Sequence, residues 1–236
     1  MFAFIGAMDE EIEGIRANLT EVQEQRHAGL TFYEGTYQGQ HCILVRAGIG
    51  KVNAALCTQA LLDAYPAVTA VINTGIAGSL NKGIAIGDLV LCTEAYQHDV
   101  DASGFGYAPG QIPRLDVLGF TASEPLRKKA LRLSAELLPD VGCHEGKVLS
   151  GDQFISSREK KETLIRQFGG DCCEMEGAAI AQVCYLNHTP FLIIRAISDS
   201  ADDSAGIDYA VFERQAIEHS VKLALGLIAE GVPAGV

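Results

Sequence analysis

The sequence predicts an α/β fold, a mixed sheet covered by helices, and three observations carry that expectation. Short β-branched runs alternate with longer amphipathic stretches along the chain. The 236 residues, 48% apolar and 20% charged, are enough for one large core and too apolar for a disordered chain. No linker, repeat or low-complexity segment breaks the pattern, so residues 1–236 read as a single domain.

In chain order, Phe2–Gly6 reads as a strand, after which Met8, Ile12, Ile15 and Leu19 recur at helical spacing. Leu30–Tyr37 and His41–Ala47 form a hairpin pair around a turn containing Gly39. Lys51–Ala64 is rich in Ala and Leu and reads as a helix closed by Pro66. Val68–Asn73, polar only at Thr69, is a strand buried on both faces. Leu89–Glu94 is another strand, followed by a polar, Gly-rich loop over His98–Pro113. Ser123–Leu138 is a helix capped by Ser123, Gly146–Ser150 a short strand, and Arg158–Phe168 a charged surface helix. An Ala-rich helix covers Glu174–Leu186. Phe191–Ile197 is an apolar strand interrupted by Arg195, and Tyr209–Ala229 supplies the last helix.

Composition excludes several classes. Eighteen Lys and Arg against thirty Asp and Glu leave a net charge of −12, and no basic block relieves it. A phosphate-backbone partner or an acidic membrane surface is therefore not expected, and a neutral or cationic small molecule is. Seven scattered cysteines, two of them adjacent and none in a CxxC pair, read as reduced and mostly buried. MFAFIGAMDEE has no basic n-region, and no apolar run reaches the length of a bilayer span. The expectation is a cytoplasmic protein.

In a sheet of this kind ligands gather beyond the carboxyl ends of the strands. AGIGKVNAA (Ala47–Ala55) joins a strand to a helix as a dinucleotide fingerprint would, but Asn53 stands at the third glycine position. A P-loop fails too, with Val45 at its first glycine position and Val52 after the lysine; what remains is a turn where backbone approaches a ligand or a neighbouring helix. His98, Asp99 and Asp101 lack the spacing of a metal site. Glu174 beside Cys172-Cys173 raises a thiol pKa, so no cysteine nucleophile is expected. No GxSxG elbow is present.

The carboxylates remain. Asp9, Glu10, Glu11 and Glu13 crowd one helix start, and Glu174 and Glu176 another; favourable interaction with the helix dipole accounts for each singly. Asp199 ends a nearly apolar strand, where it either caps the next segment or, desolvated, serves as a proton-donating acid. Arg195, if buried, needs a carboxylate or ligand oxygen. An acid and a base at separate strand ends, flanking a cationic transition state, suit cleavage of a glycosidic bond.

Six ordered motifs then point further: GAMDEEIEGI (Gly6–Ile15), AGIGKVNAA, INTGIAGSL (Ile72–Leu80), SGDQFI (Ser150–Ile155), EMEGAAIAQVC (Glu174–Cys184) and RAISDSAD (Arg195–Asp202). Together, from residue 1 to about 230, the chain resembles the 5′-methylthioadenosine/S-adenosylhomocysteine nucleosidases of the nucleoside phosphorylase/hydrolase superfamily. The resemblance implies a three-layer α/β/α sandwich, a homodimer, and hydrolysis of the adenine–ribose bond of 5′-thio nucleosides in methionine salvage, without metal or organic cofactor. It implies Glu11 as the base for the attacking water and Asp199 as the acid that protonates adenine. Glu176 would hold the ribose hydroxyls over Met175, Phe154 would stack on adenine, and the backbone of Ile155 would read the purine edge. Gly78 and Ser198 belong to the same substrate-binding set, and Arg195 would stand near the water and Glu11. Ile49, Phe105, Pro113 and Tyr209 would build the alkylthio pocket, Phe105 and Pro113 donated by the other subunit.

Two positions depart from that pattern. Ile76 replaces a common Ser, which argues against phosphate use, and Tyr209 replaces the usual Phe, adding a hydroxyl that needs a partner. The alternatives are a nucleosidase for aminodeoxyfutalosine or 5′-deoxyadenosine, a nucleoside phosphorylase, and a catalytically dead nucleoside-binding relative.

Overall fold

A computed structural model describes all 236 residues. Its elements run β1 (Phe2–Gly6), α1 (Asp9–Arg16), β2 (Thr20–His27), β3 (Leu30–Tyr37), β4 (Gln40–Arg46) and α2 (Lys51–Ala64). They continue with β5 (Ala70–Ser79), β6 (Leu89–Gln97), β7 (Phe120–Thr121), α3 (Glu124–Leu137), β8 (Cys143–Ser150) and α4 (Arg158–Phe168). The chain ends with β9 (Cys172–Glu174), α5 (Gly177–Leu186), β10 (Phe191–Asp199) and α6 (Ala205–Glu230).

The sheet is mixed. β1 lies parallel between β4 and β5, β5 runs parallel to β10, and β6 parallel to β8. At one end the sheet closes on itself: β5 pairs with β9, β9 with β8, β8 with β6, and β6 with β10, which returns to β5. Helices α1, α3 and α6 pack together against one side, and α2 and α5 against the other. One cluster of buried apolar side chains, from Phe2 and Ile43 through Ile72 and Leu91 to Ile193, fills the space between sheet and helices. No helix is long and apolar enough to cross a membrane.

Several elements differ from the sequence expectation, four of them as follows. β5 does not stop at Asn73 but runs fully buried through Ser79, because its polar and glycine positions face neighbouring side chains. Glu174 ends a strand, β9, and Glu176 is the N-cap of α5, so the helix begins at Gly177 and not at Glu174. β2 has no counterpart among the expected strands. Every one of its residues is exposed, so the strand has no buried face and hence no apolar alternation. α6 starts at Ala205, which places Tyr209 inside it.

Candidate active site

Where β1, β5, β9 and β10 come together the structure holds a cavity of about 450 Å³. Ala7 and Met8 after β1, Ile76 to Gly78 within β5, Cys173 to Glu176, and Ser198 and Asp199 line it, with Ile49, Phe154, Gly206 and Tyr209 above. Of the residues expected at the site, Gly78, Phe154, Met175, Glu176, Ser198, Asp199, Ile49 and Tyr209 thus share one cavity. Ile155 lies in a small recess beside it, together with Phe154 and Asp199.

Glu11 lies beneath the floor and not on it. Third in α1, its side chain turns back so that Oε2 accepts the amides of Ala7 (2.6 Å) and Met8 (3.1 Å), while Oε1 accepts that of Ile76 (3.2 Å). All three donors line the cavity. The carboxyl is therefore no solvated dipole partner: it is 5% exposed, and burial raises its pKa against the pull of Arg195 and the three amides.

Asp199 closes β10 and is buried. The register of β10 on β5 slips between Ile197 and Asp199, a bulge that sets Asp199 opposite Gly78. Its Oδ1 accepts the Ala201 amide (2.8 Å) and its Oδ2 the Ser198 hydroxyl (2.9 Å). Burial raises its pKa, with Asp208 and Asp202 adding to the effect and the two hydrogen bonds opposing it. Asp199 thus binds the next turn of the chain and is at the same time desolvated.

Arg195 stands near Glu11, as expected, but is not part of the substrate wall. It does not line the cavity; its guanidinium lies behind Glu174. Nη2 donates to Glu174 Oε2 at 2.5 Å and to the side-chain oxygen of Asn73, and Nη1 to the Ile194 carbonyl at 3.0 Å. The oxygen it needs is thus a carboxylate of the protein, and its influence on Glu11 is that of a nearby charge.

Glu174, which sequence reasoning takes only for a helix-dipole partner, is the functional residue it misses. Besides Arg195 it accepts the amides of Glu176 (3.0 Å) and Gly177 (2.7 Å) and the Ser150 hydroxyl. Burial opposes its charge, yet Arg195, Ser150 and the amides hold its pKa below the ordinary value. A signal was present: a buried arginine demands a carboxylate, and Glu-Met-Glu offers a second one. Glu176 accepts the Gly50 amide at 2.8 Å, and burial, reinforced by the charge of Glu174, pushes its pKa up to about 8.

The remaining wall is apolar. Tyr209 meets Phe154 edge-on, ring centroids 6.1 Å apart, and its hydroxyl donates to Glu213 at 2.8 Å. The extra hydroxyl therefore has a carboxylate partner outside the cavity, and it also lies 3.6 Å from Met8 Sδ in the cavity wall. Cys173 reaches the lining, but burial pushes its thiol well up. No Lys, Arg or His lines the cavity. Phe105 and Pro113 do not line it either: both are exposed on the loop after β6, Phe105 at 88%.

Comparison with known proteins agrees with this geometry. A family model described as the phosphorylase superfamily matches residues 1–229. The chain is 40% identical over 225 residues to a 5′-methylthioadenosine/S-adenosylhomocysteine nucleosidase of an Exiguobacterium species, covering 94% of this chain and 95% of the relative. It is 40% identical to one from Geobacillus kaustophilus, covering 96% of each. A crystal structure of the Neisseria meningitidis nucleosidase with methylthio-immucillin-A superposes with a TM-score of 0.93 at 39% identity, covering 98% of this chain and 99% of that one. A futalosine hydrolase of Helicobacter pylori superposes at 0.92 with 34% identity, covering 98% and 97%. By sequence and by fold, this chain belongs to the phosphorylase superfamily and, within it, to the 5′-methylthioadenosine/S-adenosylhomocysteine nucleosidases.

Proposed function

We propose that the protein hydrolyses the N-glycosidic bond of 5′-methylthioadenosine and S-adenosylhomocysteine, releasing adenine and the 5′-thio-substituted ribose. One observation carries the reading: three desolvated carboxyl groups, Glu11, Glu176 and Asp199, surround a cavity whose lining holds no cation. In this reading Asp199 gives its proton to the departing adenine, which a pKa raised by burial suits it to do. Glu11 takes a proton from the attacking water. Glu176 holds the ribose hydroxyls, and because burial disfavours its negative charge, it gains most as the sugar becomes cationic. Phe154 stacks on the base, and Ile49, Met8 and Tyr209 enclose the thio substituent. The Glu174–Arg195 pair keeps the floor rigid, with Arg195 behind the cavity wall.

The all-neutral or acidic lining decides between the alternatives. Phosphorolysis needs a positively charged or hydroxyl-rich seat for phosphate, whereas Ile76 offers only a side chain without polar atoms and an amide already given to Glu11. A 5′ substituent with a net negative charge, as in aminodeoxyfutalosine, would meet an acidic cavity without a cation, whereas the homocysteine of S-adenosylhomocysteine carries its own ammonium beside its carboxylate. Methylthioadenosine should therefore react in the absence of phosphate and be preferred over analogues whose 5′ substituent is net negative. Chromatography of the sugar product with and without phosphate checks both points, and phosphate-dependent formation of a sugar phosphate would overturn the hydrolase assignment.

Asp199→Asn should lower kcat by about 10²–10⁴-fold, the range of positioned general-acid catalysis, while still binding a substrate analogue. Glu11→Gln should do the same, since an amide cannot accept the proton. Titration of each variant with an unreactive analogue separates lost chemistry from lost binding. We also propose a homodimer in which Phe105 and Pro113 reach the neighbouring cavity, supported by the exposure of that aromatic ring on a loop outside its own site.

A further inference from the structure

Gly50 is the N-cap of α2 and has no side chain with which to cap it. The cap comes from far along the sequence: Asp152 Oδ1 accepts the Lys51 amide at 2.8 Å. A carboxylate there satisfies a free amide and suits the positive end of the helix. The Asp152 amide in turn donates to Asp99 Oδ2 at 2.9 Å, and Asp99 Oδ1 accepts Lys51 Nζ at 2.5 Å. The three residues thus form a closed ring of hydrogen bonds joining the start of α2, the end of β6 and the loop after β8. Lys51 Nζ also donates to Gln97 at 2.9 Å, and Gln97 to Gln182 of α5 at 2.6 Å. Both charged side chains of the pair are only 17% exposed, unlike the surface pairs that contribute little.

The ring is placed beside two working parts of the cavity. The Gly50 amide, one residue before Lys51, is the donor to Glu176. Phe154 stands two residues after Asp152. Gly50 has φ 94°, and a Cβ there would sit 3.0 Å from Asp152 Oδ1, so this close approach needs a glycine. Neither Asp99 nor Lys51 lines the cavity.

We propose that Lys51, Asp99 and Asp152 form a positioning clamp that sets the Gly50 amide on Glu176 and the seat of Phe154, coordinating the sugar and base ends of the cavity. This rests on the nucleosidase reading. A displacement of the order of 1 Å at such contacts is enough to cost about 10²-fold in rate, so losing part of the clamp should lower kcat/KM by about tenfold.

The test uses Lys51→Met, Asp99→Ala, the double variant and Lys51→Arg, with kcat and KM for methylthioadenosine and amide hydrogen exchange of the substrate-free protein. Each single variant should lose about tenfold in kcat/KM, mostly in kcat, and the double should be no worse than the singles, because the ring is already open. Lys51→Arg, which keeps a cation against Asp99, should recover most of the loss. Exchange should accelerate at Gly50 and over Gly151–Ile155 beyond any change in the rest of the chain. Additive kinetic losses, or a lowered midpoint with kcat and KM unchanged, would reduce the ring to a structural tie and overturn the proposal. Wild-type protein that releases no adenine would instead overturn the nucleosidase reading, and the exchange measurement would still report on the clamp.

Discussion

Glu176 shows how strongly the site works against its own charges. A single arginine faces Glu174, Glu176 and Glu11, and its short contact goes to Glu174. Glu176 is left with one backbone amide, and burial and its charged neighbour push its pKa from the ordinary 4.5 to about 8. A group whose pKa is raised on folding contributes its full stability below the unfolded value and loses it as pH climbs through the folded one. The cost of carrying Glu176 is therefore absent near pH 4.5 and complete above about pH 8. Glu176→Gln keeps an oxygen for the Gly50 amide and removes the titration. We expect this variant to be inactive, to melt several degrees above wild type at pH 9 and to match it near pH 4.5, since in a chain of this size each kcal/mol moves Tm by about 2–4 °C. Melts at the two pH values check it; equal midpoints at pH 9 would mean that Glu176 carries no such penalty. The proposed acid and base have pKa values raised in the same direction. Activity should fall on the acid side as Glu11 and Glu176 are protonated and on the alkaline side as Asp199 loses its proton, with both limbs above the range of exposed carboxylates.

At the level of elements, the strand that matters most is the one whose end the sequence misplaces. Asn-Thr-Gly-Ile-Ala-Gly after Ile72 has the composition of a turn, yet it continues β5. Neither Gly75 nor Gly78 has a positive φ; what each needs is room. A Cβ at Gly75 would lie 2.5 Å from Glu11 Oε1, and one at Gly78 2.7 Å from Asp199 Oδ1. The glycines are where two carboxylates meet the sheet. Gly75→Ala should thus fold but displace Glu11, lowering kcat by about 10²-fold as a misplaced catalytic group does. Kinetics beside a thermal melt would show it; unchanged kcat would mean that the carboxylate has space to move. The same contrast separates the features that local pattern encodes from those it does not. α2 and α4 are legible to the residue, because the Ala- and Leu-rich run of the one ends at Tyr65 before Pro66 and the charged run of the other at Gly169. Glu11, Glu176 and Asp199 are legible through motifs, and Arg195 through its improbable place in an apolar strand. That Arg195 needs an oxygen partner is legible too, but which one is not, because Glu174 meets it across a pairing of β9 and β5 that depends on the tertiary fold. Nor is β2, whose exposed faces leave no periodic trace.

At the scale of the whole molecule, a chain of net charge −12 surrounds a cavity without a cation, so the protein's field favours neutral or cationic nucleosides. That field says nothing about the loop between β6 and β7, which carries Phe105 and Pro113 away from their own site. The Phe105 ring, 88% exposed, is apolar surface open to a second subunit. Under the proposed homodimer each loop completes the other subunit's cavity, and mixing two defective variants distinguishes this from a role in its own site. Asp199→Asn subunits have a dead cavity but an intact Phe105; Phe105→Ala subunits have an intact cavity but no ring to lend. In a mixed dimer the Phe105→Ala subunit would receive a native ring from its neighbour and regain a complete site. Random reassociation makes about half of the dimers mixed, each with one complete site, so activity should return to about a quarter of wild type if the site is shared across a two-fold interface. If Phe105 served its own subunit, the mixed dimer would contain no complete site, and mixing would add nothing to the residual activities of the two parents.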